Sequence, residues 1–159
     1  MKYERFEDLP VWQAASGLAV AVFALGERVS LRRHRSLRDQ LERAALSVSN
    51  NIAEGFERGT TSELLAFLYI ARGSAGEVRS MLCVMDRMAG LCDLKSEISN
   101  LKSVAESISR QLRGWAQHLQ DTPIRGQRHL TTKSRQLDHA RRDRDEFLKE
   151  LEQFRYRPQ

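Results

Sequence analysis

Apolar residues recur along this chain with the spacing of one helical face, not with the alternation of strands. The first ladder is Val11, Ala15, Leu18, Val22, Leu25 and Val29. Asp8 stands where an N-cap would accept an orphan amide, and Pro10 suits a first turn, where its missing N–H is harmless. These signals predict a helix over about residues 9–29. Ser36 to Asp39 has the form of a capping box, with Leu37, Leu41, Ala44, Val48 and Ile52 sharing one face behind it. A second helix over about 36–54 follows, ended by Gly55 in the left-handed conformation. Thr60 to Glu63 repeats the box and opens a third ladder, Leu64, Leu68, Ala71, Ala75, Val78, Leu82 and Met85, expected to run to about Ala89 before Gly90. Asp93 can cap a fourth helix. Its ladder, Leu94, Ile98, Leu101, Ala105, Ile108, Leu112, Trp115 and Leu119, is unbroken.

Four amphipathic segments with short connections predict an all-α fold, an antiparallel up-down-up-down four-helix bundle over residues 1–120. Trp12 and Trp115 read as core or interface anchors. Pro123 breaks the fourth helix, and residues 121–159 read as a basic linker and a C-terminal helical extension. A fifth helix over about 133–155 carries Leu137, Ala140, Phe147, Leu151 and Phe154. It has too few apolar residues to fold alone and is expected to pack on its own bundle or on a neighbour. Inside the third segment, Gly73 and Gly76 each cost about 1 kcal/mol relative to Ala. With Ala71, Ser74 and Ala75 they form a small-residue patch that would admit another backbone closely.

Composition narrows the function classes. With 159 residues, 41% hydrophobic and 30% charged, the chain is expected to be one soluble folded domain plus its tail. The longest apolar run, Leu18 to Leu25, is too short to cross a bilayer, and the N-terminus lacks a signal-peptide layout. A cytoplasmic protein with no membrane role is the expectation. Cys83 and Cys92 lack metal-ligand spacing and read as reduced thiols, Cys83 as a small buried residue. The four histidines form no metal-binding pair, and no glycine-rich phosphate loop or nucleophile elbow is present. No metal, cofactor or catalytic residue is therefore predicted. The net charge is +5, and 21 of the 26 basic residues are arginine. Guanidinium forks match phosphate oxygens, which suits nucleic acid. A GC-rich genome enriches arginine equally well, so composition leaves both explanations open.

Three sets of residues are candidates for a site. Arg28, Arg32, Arg33, His34, Arg35 and Arg38 fall within eleven residues that contain no acid. Such a loop suits phosphates. With no aromatic residue beside it, it would read backbone and not stacked bases. The alternative is a solvated loop in which Arg28 merely complements a helix dipole. The second set, Arg125, Arg128, Lys133 and Arg135, forms a basic arm suited to RNA or to a neighbouring subunit, diluted by Asp138 and Asp143. The third is a polar stripe, Gln40, Arg43, Ser47, Asn51 and Glu54, ending at Gly55. It is matched by Glu63, Arg72, Gly73, Ser74 and Glu77 on the third segment. It reads either as a solvated face or as a hydrogen-bonded seam between helices or subunits.

Several of these residues also carry a resemblance. Phe6-Glu7-Asp8-Leu9 with Val11-Trp12-Gln13, then Gln40-Leu41-Glu42-Arg43-Ala44, Asn51-Ile52-Ala53-Glu54-Gly55, and Ala71-Arg72-Gly73-Ser74 with Glu77 form an ordered pattern. Over about residues 3–118 it resembles the bacterial four-helix bundle proteins first noticed as reading frames inside intervening sequences of large-subunit rRNA genes. That family also includes relatives of the accessory variability determinant of diversity-generating retroelements. The resemblance implies a homopentamer arranged as a barrel around a channel, and no enzymatic activity. For the retroelement members it implies binding to a reverse transcriptase and its nucleic acid. The function expected on these grounds is a homo-oligomeric accessory protein that binds RNA, with DNA as a second ligand, beside a reverse transcriptase. The alternative is a protein–protein scaffold without a nucleic-acid role.

Overall fold

A computed structural model describes residues 3–122 together with 140, 143, 144, 147 and 148. Four long helices dominate: α1 (Pro10–Gly26), α2 (Arg35–Glu57), α3 (Thr61–Met85) and α4 (Lys95–Asp121). Short 3-10 turns at Phe6–Asp8, Val29–Leu31 and Ala89–Leu94 lead into α1, α2 and α4. Each helix packs on the next, and α4 closes against α1. Two contacts fix the antiparallel register of α3 and α4. Asp86 meets Lys102 at 2.7 Å, and Tyr69 accepts from Gln120 at 2.8 Å, so one helix ascends as the other descends. Between α2 and α3 the pairs Ser47–Ser74 and Gly55–Phe67 give the same sense. The fold is an up-down-up-down four-helix bundle.

The ladders lie in its core. All seven α3 positions from Leu64 to Met85 are buried, as are Leu41, Ala44, Val48 and Ile52 of α2. Burial of each large aliphatic side chain contributes about 1.5–3 kcal/mol, which offsets the entropy lost on ordering the helices. In α4 the alanine at 116 is buried beside a half-buried Trp115. Trp12 is half-buried as well. It meets Phe6 edge-on at 5.1 Å and so docks the N-terminal 3-10 turn on α1.

The helix ends depart from expectation. The first helix stops at Gly26, and Val29 is 73% exposed, because the next turn directs Leu31 into the core instead. Asp8 lies within a 3-10 turn, and α1 begins with Leu9 at its N-cap and Pro10 at its first position. At the start of α2, His34 and not Ser36 is the N-cap, with no side-chain cap. Gly55 is helical, since no described glycine has positive φ, and α2 continues to Glu57. Thr60 does cap α3: its hydroxyl accepts from the Glu63 amide at 3.3 Å and donates to the Glu63 carboxylate at 2.7 Å. The third helix ends at Met85, short of Ala89. Asp93 does not cap α4, because its carboxylate accepts from Ser30 at 2.6 Å.

The chain divides into two compact units, Met1–Gly126 and Gln127–Gln159, the bundle lying in the first. In the second, positions 140, 143, 144, 147 and 148 are helical and exposed. The remainder of the expected fifth helix lies outside the described residues.

Candidate functional site

The polar stripe resolves into contacts of different kinds. Ser47 on α2 and Ser74 on α3 share a hydrogen bond of 2.9 Å, and Asn51 donates to the Ser47 carbonyl at 2.7 Å and to its hydroxyl at 3.0 Å. Ser74 also reaches back to the Ile70 carbonyl at 3.2 Å. These groups form a short hydrogen-bonded seam between two helices. No buried polar side-chain atom among the described residues lacks a partner. Glu54 belongs to the hairpin instead: it accepts from Arg58 at 2.7 Å, and Arg58 also faces Glu63 at 3.8 Å and lies over the Phe67 ring at 5.1 Å. The Glu54 contact holds the Arg58 guanidinium in its charged form more firmly than usual. Gln40, Arg43, Arg72 and Glu77 are exposed and stand outside the seam.

The glycines sort differently from expectation. A Cβ on Gly55 would stand 2.6 Å from the Cβ of Phe67 and 3.2 Å from Leu64, so this is where α2 and α3 approach closely. A Cβ at Gly26 would meet the flexible ends of Glu42 and Arg38. Gly73 and Gly76 are exposed with nothing within 4 Å of such a Cβ, so among the described residues no backbone approaches these two glycines, while Ala71, Ser74 and Ala75 of the same patch are buried. Cys83 is exposed and not buried as expected, because it falls one residue past the inward position Leu82.

The basic cluster lies at the α1–α2 end of the bundle, and its members divide into two groups. Arg28 is bonded to Glu97 of α4 at 2.6 Å. Arg38 is held by Asp39 at 3.1 Å and lies 3.6 Å from Glu42. Arg32, Arg33 and Arg35 are exposed, and their guanidinium groups have no hydrogen bond or ion pair among the described residues. Nothing in the spacing of the sequence distinguishes the paired from the free, since Glu97 lies 69 residues from Arg28. The sequence reading also missed the Ser30–Asp93 contact. A hydrophilic pair across two turns carries no periodic signal. Arg125, Arg128, Lys133 and Arg135 lie outside the described residues. Among the described residues no cluster of His, Cys, Asp or Glu could hold a metal ion, and no helix is long and apolar enough to cross a membrane.

The fold and these surfaces define a helical-bundle protein with an internally satisfied α2–α3 hairpin and a basic turn at one end. More particularly, the chain belongs to the 23S rRNA-intervening sequence protein family, whose model matches residues 7–114, more than half of its length. No curated protein matches it. Among solved structures it is similar to a protein with unknown function from the S23 ribosomal protein family of Bacteroides thetaiotaomicron. That similarity has a TM-score of 0.60 at 18% identity and covers 67% of this chain and 97% of the other. At that identity the likeness concerns the fold alone.

Proposed function

We propose that this protein is a non-enzymatic, homo-oligomeric nucleic-acid-binding accessory protein of the cytoplasm. By its family resemblance it assembles as a pentamer and assists a reverse transcriptase on structured RNA. The observation that carries this reading is the trio Arg32, Arg33 and Arg35, exposed and without acidic partners among the described residues, while the flanking Arg28 and Arg38 are paired. Unpaired guanidinium groups on a short turn are suited to phosphate oxygens, and several copies around an axis would multiply the field. The absence of aromatic residues from residues 24–55 fits reading of backbone and shape, not of stacked bases.

The test is affinity for an RNA hairpin and a DNA duplex across salt concentration. Each neutralised phosphate contributes a log–log slope of about −0.7 to −0.9, so replacing all three arginines by Ala should flatten the slope by about 2–3. A wild-type protein whose binding is absent or indifferent to salt ends this reading. Light scattering coupled to size exclusion checks the pentamer.

A second reading, a protein–protein scaffold, is favoured by a specific observation. The α1 sequence is free of charge from Pro10 to Gly26, yet Val20 is 68% and Phe23 40% exposed. A partner protein retained after nuclease treatment, and retained equally by the arginine variant, would select the scaffold.

A further inference from the structure

Building on the nucleic-acid reading above, we propose that Arg28 and Ser30, with Glu97 and Asp93, are positioning residues. In this view they form a latch that holds the turn carrying Arg32, Arg33 and Arg35 in the geometry in which it meets phosphate. Two contacts join the turn to the opposite hairpin. Arg28 Nη2 donates to Glu97 Oε1 at 2.6 Å, and Ser30 Oγ donates to Asp93 Oδ2 at 2.6 Å. Between the two donors and the free arginines lies Leu31, which is fully buried. The backbone there is wound into a 3-10 turn by Leu31 N–Arg28 O at 2.9 Å, Arg32 N–Val29 O at 3.2 Å and His34 N–Leu31 O at 2.9 Å. The turn is thus pinned by one buried anchor and two polar contacts to residues 63 and 69 positions away, and the three arginines that are unpaired among the described residues follow at once.

Each polar contact is weak as a source of stability. The Arg28 and Glu97 side chains are 53% and 45% exposed, and pairs so open to water contribute little to folding. Two such contacts on a short turn with a buried anchor can still fix its conformation. A turn ordered before binding avoids part of the ordering cost that a loose turn carries on meeting its ligand. Electrostatics alone makes the opposite demand. Two carboxylates beside a phosphate site repel the ligand, so deleting their charges should tighten binding. The latch and the bare field therefore predict opposite signs for the same substitution.

The experiment uses the full chain and a labelled RNA hairpin, with circular dichroism to confirm that each variant keeps its helices. In Asp93→Ala with Glu97→Ala, which removes both acceptors together with their charge, RNA affinity should fall about fivefold with the salt slope unchanged, because the ordering cost returns while the phosphate ligands remain. Amide exchange at Leu31, Arg32 and His34 should accelerate in the same variant. Affinity that rises or stays level overturns the latch. Arg28→Glu alone should weaken binding, and Arg28→Glu with Glu97→Arg, at unchanged net charge, should restore it. A swap that binds as poorly as Arg28→Glu makes Arg28 a direct phosphate ligand and overturns its positioning role. A wild-type protein that binds no RNA removes the nucleic-acid reading and this role with it. Faster exchange with unmoved affinity removes the positioning role alone.

Discussion

At the α2–α3 hairpin Arg58 is engaged by Glu54 at 2.7 Å, by Glu63 at 3.8 Å and by the Phe67 ring at 5.1 Å. At the α1–α2 turn, Arg32, Arg33 and Arg35 have no such partner among the described residues. Both connections are short and arginine-bearing, yet the hairpin engages its Arg58 fully while the turn pairs Arg28 and leaves the three that follow open. The hairpin also carries the Thr60 cap, the close approach at Gly55 and the Ser47–Asn51–Ser74 seam. Of the residues that resemble a family signature at this hairpin, Asn51, Glu54, Gly55 and Ser74 are accounted for by architecture, whereas Arg72, Gly73 and Glu77 are exposed. Charge left unspent by the fold is a guide to function, and three such arginines gather at the α1–α2 turn, whereas Arg43, Arg72 and Arg79, also exposed and unpaired among the described residues, are spread along the helices.

The largest expected effect tests the closeness of the hairpin. Gly55→Ala places a methyl against the Cβ of Phe67, which cannot rotate away as the tip of a long side chain can. Overpacking of this kind costs about 1–3 kcal/mol. Gly73→Ala, in the same pair of helices but with open space around it, should instead stabilise by about 0.5–1 kcal/mol through helix propensity. Urea unfolding of the two variants should move the midpoint in opposite directions. A stabilising Gly55→Ala would show that the helices stand further apart than described.

The hydrogen-bonded seam gives a smaller effect. Ser74→Ala removes the hydroxyl bonded to Ser47, but Ser47 keeps its bond from Asn51 at 3.0 Å. The loss should be about 0.5–1.5 kcal/mol, typical of one hydrogen bond in a partly buried site. A double-mutant cycle with Ser47→Ala measures the coupling, and a cycle that closes to zero would leave the serines independent.

The core was legible in the sequence for a plain reason. Helix geometry forces inward positions to recur every three or four residues, and Leu64 to Met85 obey that rule without exception. Caps and ends were legible only where the competing partner is local. Thr60 has its acceptor and donor three residues away, so the box could be read. Asp93 was drawn to a hydroxyl on the opposite hairpin, which no local pattern records. Gly55 was correctly marked as special but for the wrong cause: it supplies space for Phe67 and not a left-handed turn. The arginine cluster was visible as composition. Its division into paired and free members depends on Glu97, placed beside it only by the folding of α4 against α1.

On stability the turn should respond less than the hairpin. Replacing Arg32, Arg33 and Arg35 together by Ala removes exposed side chains that make no described contact, so unfolding free energy should shift by no more than about 0.5 kcal/mol. The same variant is the one expected to lose salt-dependent RNA binding. A large stability loss would mean that these arginines serve the fold, and the contrast with the hairpin would vanish.

The smallest effect concerns pH, at the pair that joins α3 to α4. Lys102 Nζ donates to Asp86 Oδ2 at 2.7 Å, and this bond, supported by the charges of Lys95 and Arg87, holds the Asp86 carboxyl below its ordinary value of 3.8. The same bond raises Lys102 above 10.5. For Asp86 the folded pKa is the lower one, so its contribution is present above the ordinary value and is lost as pH falls through the depressed value. For Lys102 the folded pKa is the higher one, so its contribution is complete below 10.5 and is lost as pH rises through the raised value. Lys102→Met should therefore remove the alkaline edge and most of the acid edge of this window while leaving the neutral plateau only slightly lower, since the half-buried pair is still reached by solvent and screened by salt. Carboxyl NMR titration of Asp86 reads the acid edge directly. In the variant its midpoint should return toward 3.8, whereas the three-arginine variant should leave it in place because none of those arginines is among the charges acting on Asp86. An Asp86 that titrates normally in the wild-type protein would mean that the α3–α4 pair, unlike the contacts of the α2–α3 hairpin, does not persist in solution.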